Sequence, residues 1–91
     1  MPTFSTDPAE QLKAEKLLLL KADKDIEEGE KRITNQRELA SALQIAGYDS
    51  TQADRLVLLL QQTLIEWEKH RTLIVARIAY LERHYFSASE K

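Results

Sequence analysis

Cysteine is absent from the chain. No disulfide can staple the fold, no thiolate can hold a metal, and nothing implies an oxidising compartment. Glycine and proline are nearly as scarce, with two of each and both prolines within the first eight residues. A β-rich fold needs turn residues about every ten positions, so strands are excluded and an all-α fold is expected. Long hydrophobic runs are missing too. The longest, Leu17–Leu20 and Leu56–Leu60, fall far short of the roughly 20 residues of a membrane span. The opening segment, Met1 to Asp7, lacks the basic-then-apolar build of a secretory signal. A cytoplasmic location with no membrane partner is therefore expected. An excess of positive charge is also lacking. A net charge of −2 and a pI near 5.7 disfavour nucleic acid as a partner, because phosphate neutralisation requires a basic surface.

What is present is helical pattern. With 43% hydrophobic and 31% charged residues in a chain of 91, the composition is that of one small globular domain. Residues 1–6 read as a disordered tail, 7–86 as a helical hairpin and 87–91 as a frayed end. Asp7-Pro8-Ala9-Glu10 is a helix start, with a capping side chain, proline at the first helical position and an acid in the first turn. From there Leu12, Leu19, Ile26, Ile33 and Ala40 recur every seven residues, accompanied three positions later by Glu15, Ala22, Gly29, Gln36 and Leu43. Such a repeat marks a coiled-coil-like seam. Gly47 is the natural stop of a helix over 8–46, since glycine tolerates positive φ. After a turn at 47–50, Asp49 or Ser50 caps a helix over 51–85, and Asp49 with Gln52 forms a candidate capping box. Its repeat is Ala53, Leu60, Trp67, Ile74 and Leu81. Companions lie at +3 (Leu56, Thr63, His70, Arg77) and at +4 (Val57, Leu64, Arg71, Ile78, Tyr85).

Folding the chain back at residue 48 or 49 pairs Ile33 with Leu64, Gly29 with Glu68 and Trp67, Ala22 with Val75, and Leu19 with Ile78. The expected hairpin seam is thus Leu19, Ile26, Gly29, Ile33, Leu60, Leu64, Trp67 and Ile74. A glycine inside a helix costs about 1 kcal/mol against alanine, and close packing of Trp67 on Gly29 is the expected reason. Gln36 and Thr63 are polar residues at seam positions, where such residues set register.

The seam leaves apolar residues over. Leu17, Leu18 and Leu20 surround Leu19, Leu58 and Leu59 flank the seam on the second helix, and Ile65, Leu73 and Tyr80 add another stripe. Two helices cannot bury each other on every side, and exposed apolar patches of this kind mark interfaces. These eight residues are the expected interface of a homodimer in which two hairpins form a four-helix bundle.

Chemistry-bearing patterns are few. Glu66 and His70 share a helical face, yet a metal site wants three or four ligands and the Glu-x-x-His spacing of di-metal bundles does not occur. His70 and Arg71 are expected to flank the seam and pair with Asp23, Asp25 or Glu27. There is no phosphate loop, nucleophile elbow or zinc signature. No catalytic residue, cofactor or metal is expected, and the chain reads as a non-enzyme. Arg32, Arg37 and Arg55 are interleaved with Glu28, Glu30, Glu38 and Asp54 as a mixed-charge face. Tyr48 sits at the hairpin tip, either packed over the loop or exposed.

Across roughly residues 20–80 the chain resembles a group of short, uncharacterised bacterial helical-hairpin proteins. The likeness is carried by Ala22-Asp23, Ile26, Gly29, Arg32-Ile33 and Gln36, then by Gly47, Asp49, Ala53, Leu56, Thr63-Leu64, His70-Arg71 and Ile74. Where that group often has histidine after the turn glycine, this chain has Tyr48. The resemblance implies a helical hairpin and no particular activity. The function expected is that of a structural or interaction protein, a homodimeric bundle presenting a protein-binding surface, its partner a second copy or another protein. The alternative is a small RNA-binding hairpin dimer like the plasmid copy-number regulator Rop, which requires a basic stripe on one bundle face.

Overall fold

The computed structural model of the chain describes residues 7–86. The expected tails, 1–6 and 87–91, lie outside the described residues. Two helices, α1 (Pro8–Ile45) and α2 (Thr51–Tyr85), are joined by a tight turn, and no strand occurs among the described residues. The all-α hairpin is as expected. α1 ends one residue earlier than its pattern suggested.

The ends of both helices have specific chemistry. At the start of α1, the Asp7 carboxylate accepts the Ala9 N–H at 3.0 Å while its carbonyl accepts the Gln11 N–H at 3.0 Å. Pro8 has no N–H to satisfy. At the other end Gly47 takes φ of 83°, which lets the Tyr48 N–H reach Leu43 O at 2.8 Å and the Gly47 N–H reach Gln44 O at 3.1 Å. This is the paired closure of a Schellman motif, and it satisfies carbonyls that the helix leaves open.

The start of α2 departs from the expected capping box. Ser50 is the capping residue, its carbonyl accepting the Asp54 N–H at 2.8 Å. Asp49 turns its carboxylate onto the N–H of Thr51 at 2.9 Å and onto the Thr51 hydroxyl at 2.6 Å. A carboxylate two residues before an N–H closes an Asx turn, and that local bond outcompetes a partnership with Gln52. The Ser50 hydroxyl accepts from Gln44 Nε2 at 3.0 Å and donates to Asp54 at 2.9 Å. This relay ties the end of α1 to the first turn of α2 through a buried serine.

The chain divides into two compact units. The turn unit comprises Lys24–Glu68. Its buried residues are Ile33, Ala40, Ser50 and Ala53, with Ile26, Gly29, Gln36, Leu43, Val57, Leu60, Leu64 and Trp67 half-buried around them. Small side chains at Ala40 and Ala53 let two backbones approach closely near a short connection. A Cβ added to Gly29 would sit 3.5 Å from Leu64 Cδ1 and 3.9 Å from Trp67 Cζ3. Those are ordinary contacts, so the expectation that Trp67 requires a missing side chain at Gly29 is corrected: the space takes a methyl group.

The terminal unit comprises the chain through Asp23 and from Lys69 onward. It is built around Ile74, 1% exposed and the most deeply buried side chain, with Ala22 and Leu81. Leu12, Leu19 and Ile78 are half-buried beside them. Cross-helix charges frame this core. Arg71 Nε bonds the Asp23 carboxylate, Arg77 Nε donates to Glu15 Oε1 at 3.0 Å, and Lys16 lies 3.5 Å from Glu82. Of the three acids considered for the His70-Arg71 pair, Asp23 is the one that Arg71 takes.

In both units the seam on α2 runs through the +4 companions. Val57, Leu64, Arg71 and Ile78 are covered, whereas Leu56, Thr63, His70 and Arg77 are exposed, as is Tyr85, the last of the +4 companions. Alternating steps of three and four residues keep Val57, Leu60, Leu64, Trp67, Arg71, Ile74, Ile78 and Leu81 on one stripe. Thr63 is therefore not a seam residue, and its hydroxyl bonds back to Leu59 O at 3.1 Å. Val75 is likewise exposed, so Ile74, one residue earlier, fills the place the fold-back pairing assigned to it.

Candidate interaction surface

All eight residues expected to form an interface are exposed. In the terminal unit Leu17 is 59% exposed, Leu20 67% and Leu73 57%, with Leu18 and Tyr80 also open. In the turn unit Leu58 is 60% exposed, with Leu59 and Ile65 alongside. The eight expected seam residues, by contrast, are all buried or half-buried. The division follows from helical geometry. Leu17 and Leu58 lie about half a turn away from the stripes that contain Leu19 and Leu60, so pairing α1 with α2 cannot cover them.

The exposed apolar surface extends beyond those eight residues. Leu39, Ile45 and Tyr48 stand out in the turn unit, and Val75, Tyr85 and Phe86 in the terminal unit. Ile45 ends α1 beside a tight closure, and Tyr48 lies on the tip rather than over the loop, at 70% exposure. A seven-residue repeat carries no signal for a helix end, which is why Ile45 was missed, whereas for Tyr48 the exposed alternative holds. Leu39 follows Glu38 and precedes the buried Ala40, and its exposure is visible only once the seam is fixed.

Two shallow apolar grooves follow from this arrangement. In the terminal unit a groove of about 330 Å³ is lined by Leu12, Leu17, Leu20 and Phe86, with Lys13 and Lys16 at its edge. In the turn unit another of about 400 Å³ runs past Leu39, Leu43 and Leu56, with Gln36, Asp49 and Gln52 nearby. The first has an apolar floor and a cationic rim. The second has an apolar floor and a polar rim of Gln36, Gln52 and Asp49.

Charge is divided between the units in the same sense. The terminal unit carries eight Lys and Arg against six Asp and Glu, a net of +2. The turn unit carries five against nine, a net of −4. The arginines weighed as a basic patch, Arg32, Arg37 and Arg55, all belong to the acidic unit.

Groups suited to catalysis do not converge. Glu66 and His70 are exposed on α2, and among the described residues no three His, Asp or Glu gather as a metal-binding group. His84 stacks on Tyr80 with ring centroids 4.1 Å apart and a tilt of 38°. The Asp49 carboxylate is held below its ordinary range, first by the Thr51 hydroxyl and then by the Thr51 N–H. That is the signature of a cap. No helix among the described residues is long and apolar enough to cross a membrane. No family model, curated protein or solved structure matches the chain.

Proposed function

We propose that this chain is a non-enzymatic assembly protein, a homodimer whose two hairpins form a four-helix bundle and whose remaining surface binds another protein. The observation that carries the proposal is the contrast between a filled seam and open leucines. Ile33 and Ile74 are 6% and 1% exposed, while Leu17, Leu20, Leu58 and Leu73 are each more than half exposed. Covering each of these leucines contributes on the order of 1–2 kcal/mol, which is a large share of the stability of so small a domain. A second hairpin offers the same belts and satisfies them symmetrically.

A cytoplasmic home and kinship of residues 20–80 with the group of short bacterial hairpin proteins belong to the same proposal. RNA binding is not advanced, because the candidate arginines are interleaved with acids in the unit that carries net negative charge.

The test is light scattering on the wild-type chain and on Leu17→Ser with Leu58→Ser. The wild type is expected to be dimeric at micromolar concentration and the double variant monomeric, with helix content retained in both. A wild type that is monomeric under these conditions contradicts the proposal.

A further inference from the structure

We infer that the two copies pair end for end, the terminal unit of one against the turn unit of the other. The inference rests on the homodimer proposed above and supplies its orientation. A two-fold dimer has two simple choices: like unit on like unit, or each unit on the unlike one. Apolar belts do not decide between them, because each unit exposes leucines: Leu17, Leu20 and Leu73 in one, Leu58 and Leu59 in the other.

Charge decides. Pairing like on like sets a net −4 against −4 and +2 against +2, whereas the unlike pairing sets +2 against −4 at both contacts. Like charges juxtaposed at an interface disfavour an arrangement, and complementary ones select it and speed encounter. The local pattern agrees with the totals. The terminal groove of Leu12, Leu17 and Leu20 is edged by Lys13 and Lys16. The exposed α2 leucines of the turn unit, Leu58 and Leu59, follow Asp54 and Arg55 and precede Glu66 and Glu68, and Leu58 shares a groove with Arg37 and Asp54. On balance that stretch of α2 is negative, with Asp54, Glu66 and Glu68 against Arg55, so the unlike pairing sets it against the lysine-edged groove. In a two-fold pair the contact is reciprocal, each copy giving its terminal unit to the partner's turn unit and receiving the same in return. The charges are exposed, so they choose orientation more than they add affinity, and salt weakens the choice.

The absence of native cysteine makes a cross-linking test clean. Lys13→Cys and Gln62→Cys place one thiol at the terminal groove and one among the turn-unit leucines. Each variant alone and an equimolar mixture are treated with a short bis-maleimide at low salt after subunits have exchanged. The end-for-end dimer gives a cross-linked product in the mixture and loses it in both single variants. Self-cross-linking of each variant, with none gained on mixing, overturns the orientation while leaving the homodimer standing. Sedimentation of the same samples separates the remaining failure: monomers that do not cross-link in any combination remove the homodimer and this inference together.

Discussion

The turn unit and the terminal unit bury the same heptad seam and hold it in register by different means. In the turn unit the helices are adjacent in sequence, and neutral or local hydrogen bonds suffice: a glycine closure at Gly47, an Asx turn at Asp49, and the Gln44–Ser50–Asp54 relay. Partners there are six residues apart or fewer. In the terminal unit the paired residues are 48 and 62 positions apart, so no turn fixes their register. Arg71–Asp23 and Arg77–Glu15 supply directional pairing instead, around the most deeply buried isoleucine. Where the connection cannot enforce alignment, charge does.

The largest expected effect sharpens that contrast. Ile74→Ala removes the one fully buried large side chain among the described residues and should destabilise the chain by about 3–4 kcal/mol, in the middle of the range for buried Ile-to-Ala changes. Ile33→Ala in the turn unit should cost less, about 2–3 kcal/mol, because half-buried Trp67 and Leu64 can relax into the space. Urea midpoints for the two variants, compared at equal slope, check the order. Equal losses would show that the two cores are equivalent.

The two glycines form the next comparison. Gly47→Ala places a side chain at φ of 83° and should cost about 1–2 kcal/mol in thermal unfolding. Gly29→Ala should instead raise stability, by up to about 1 kcal/mol, because the added methyl group meets only ordinary contacts. A loss at Gly29 would mean that the helices pack more closely there than the 3.5 Å approach of Leu64 indicates.

The ion pairs should matter modestly and in proportion to salt. Arg71→Ala and Arg77→Ala are each expected to cost less than about 1 kcal/mol at low ionic strength, with the Arg77 effect persisting longer in salt. Its partner Glu15 is only 19% exposed in its side chain, whereas both members of the Arg71–Asp23 pair are more than 40% exposed. Melting curves at low and high salt test the order, and identical salt responses would remove the distinction.

The smallest effect belongs to the turn. The Asp49 carboxyl titrates below its ordinary value because Thr51 bonds its charged form. Its contribution is therefore full above the ordinary aspartate range, near pH 4, and is lost as pH falls through the lowered folded value. Asp49→Asn should flatten the acid limb of the stability curve slightly and lower neutral stability by the same small amount. An unchanged acid limb would place the titration elsewhere.

Much of this was legible in the residues themselves. The repeat beginning at Leu12 and that beginning at Ala53 located the seam, and Asp7 and Gly47 marked helix ends, because capping is local chemistry. Which companions of Ala53, Leu60 and Trp67 face inward was not legible. The +3 and +4 series are both partly apolar, and only the position of the opposing helix selects Val57, Leu64 and Ile78 over Leu56 and Thr63. The division of charge was also hidden, since Lys69 and Arg83 join Lys13 and Lys16 only after the chain has folded back. The exposed leucines were found by elimination, as apolar residues for which the seam had no room.

The most direct measurement of the central claim is sedimentation equilibrium of the wild-type chain over a concentration series at low and moderate salt. The account expects a mass near twice the 10.5 kDa chain at micromolar concentration, dissociating on dilution and more readily as salt rises. A single species at the mass of one chain across the series would contradict it, leaving Leu17, Leu20, Leu58 and Leu73 exposed to water with no second copy to cover them.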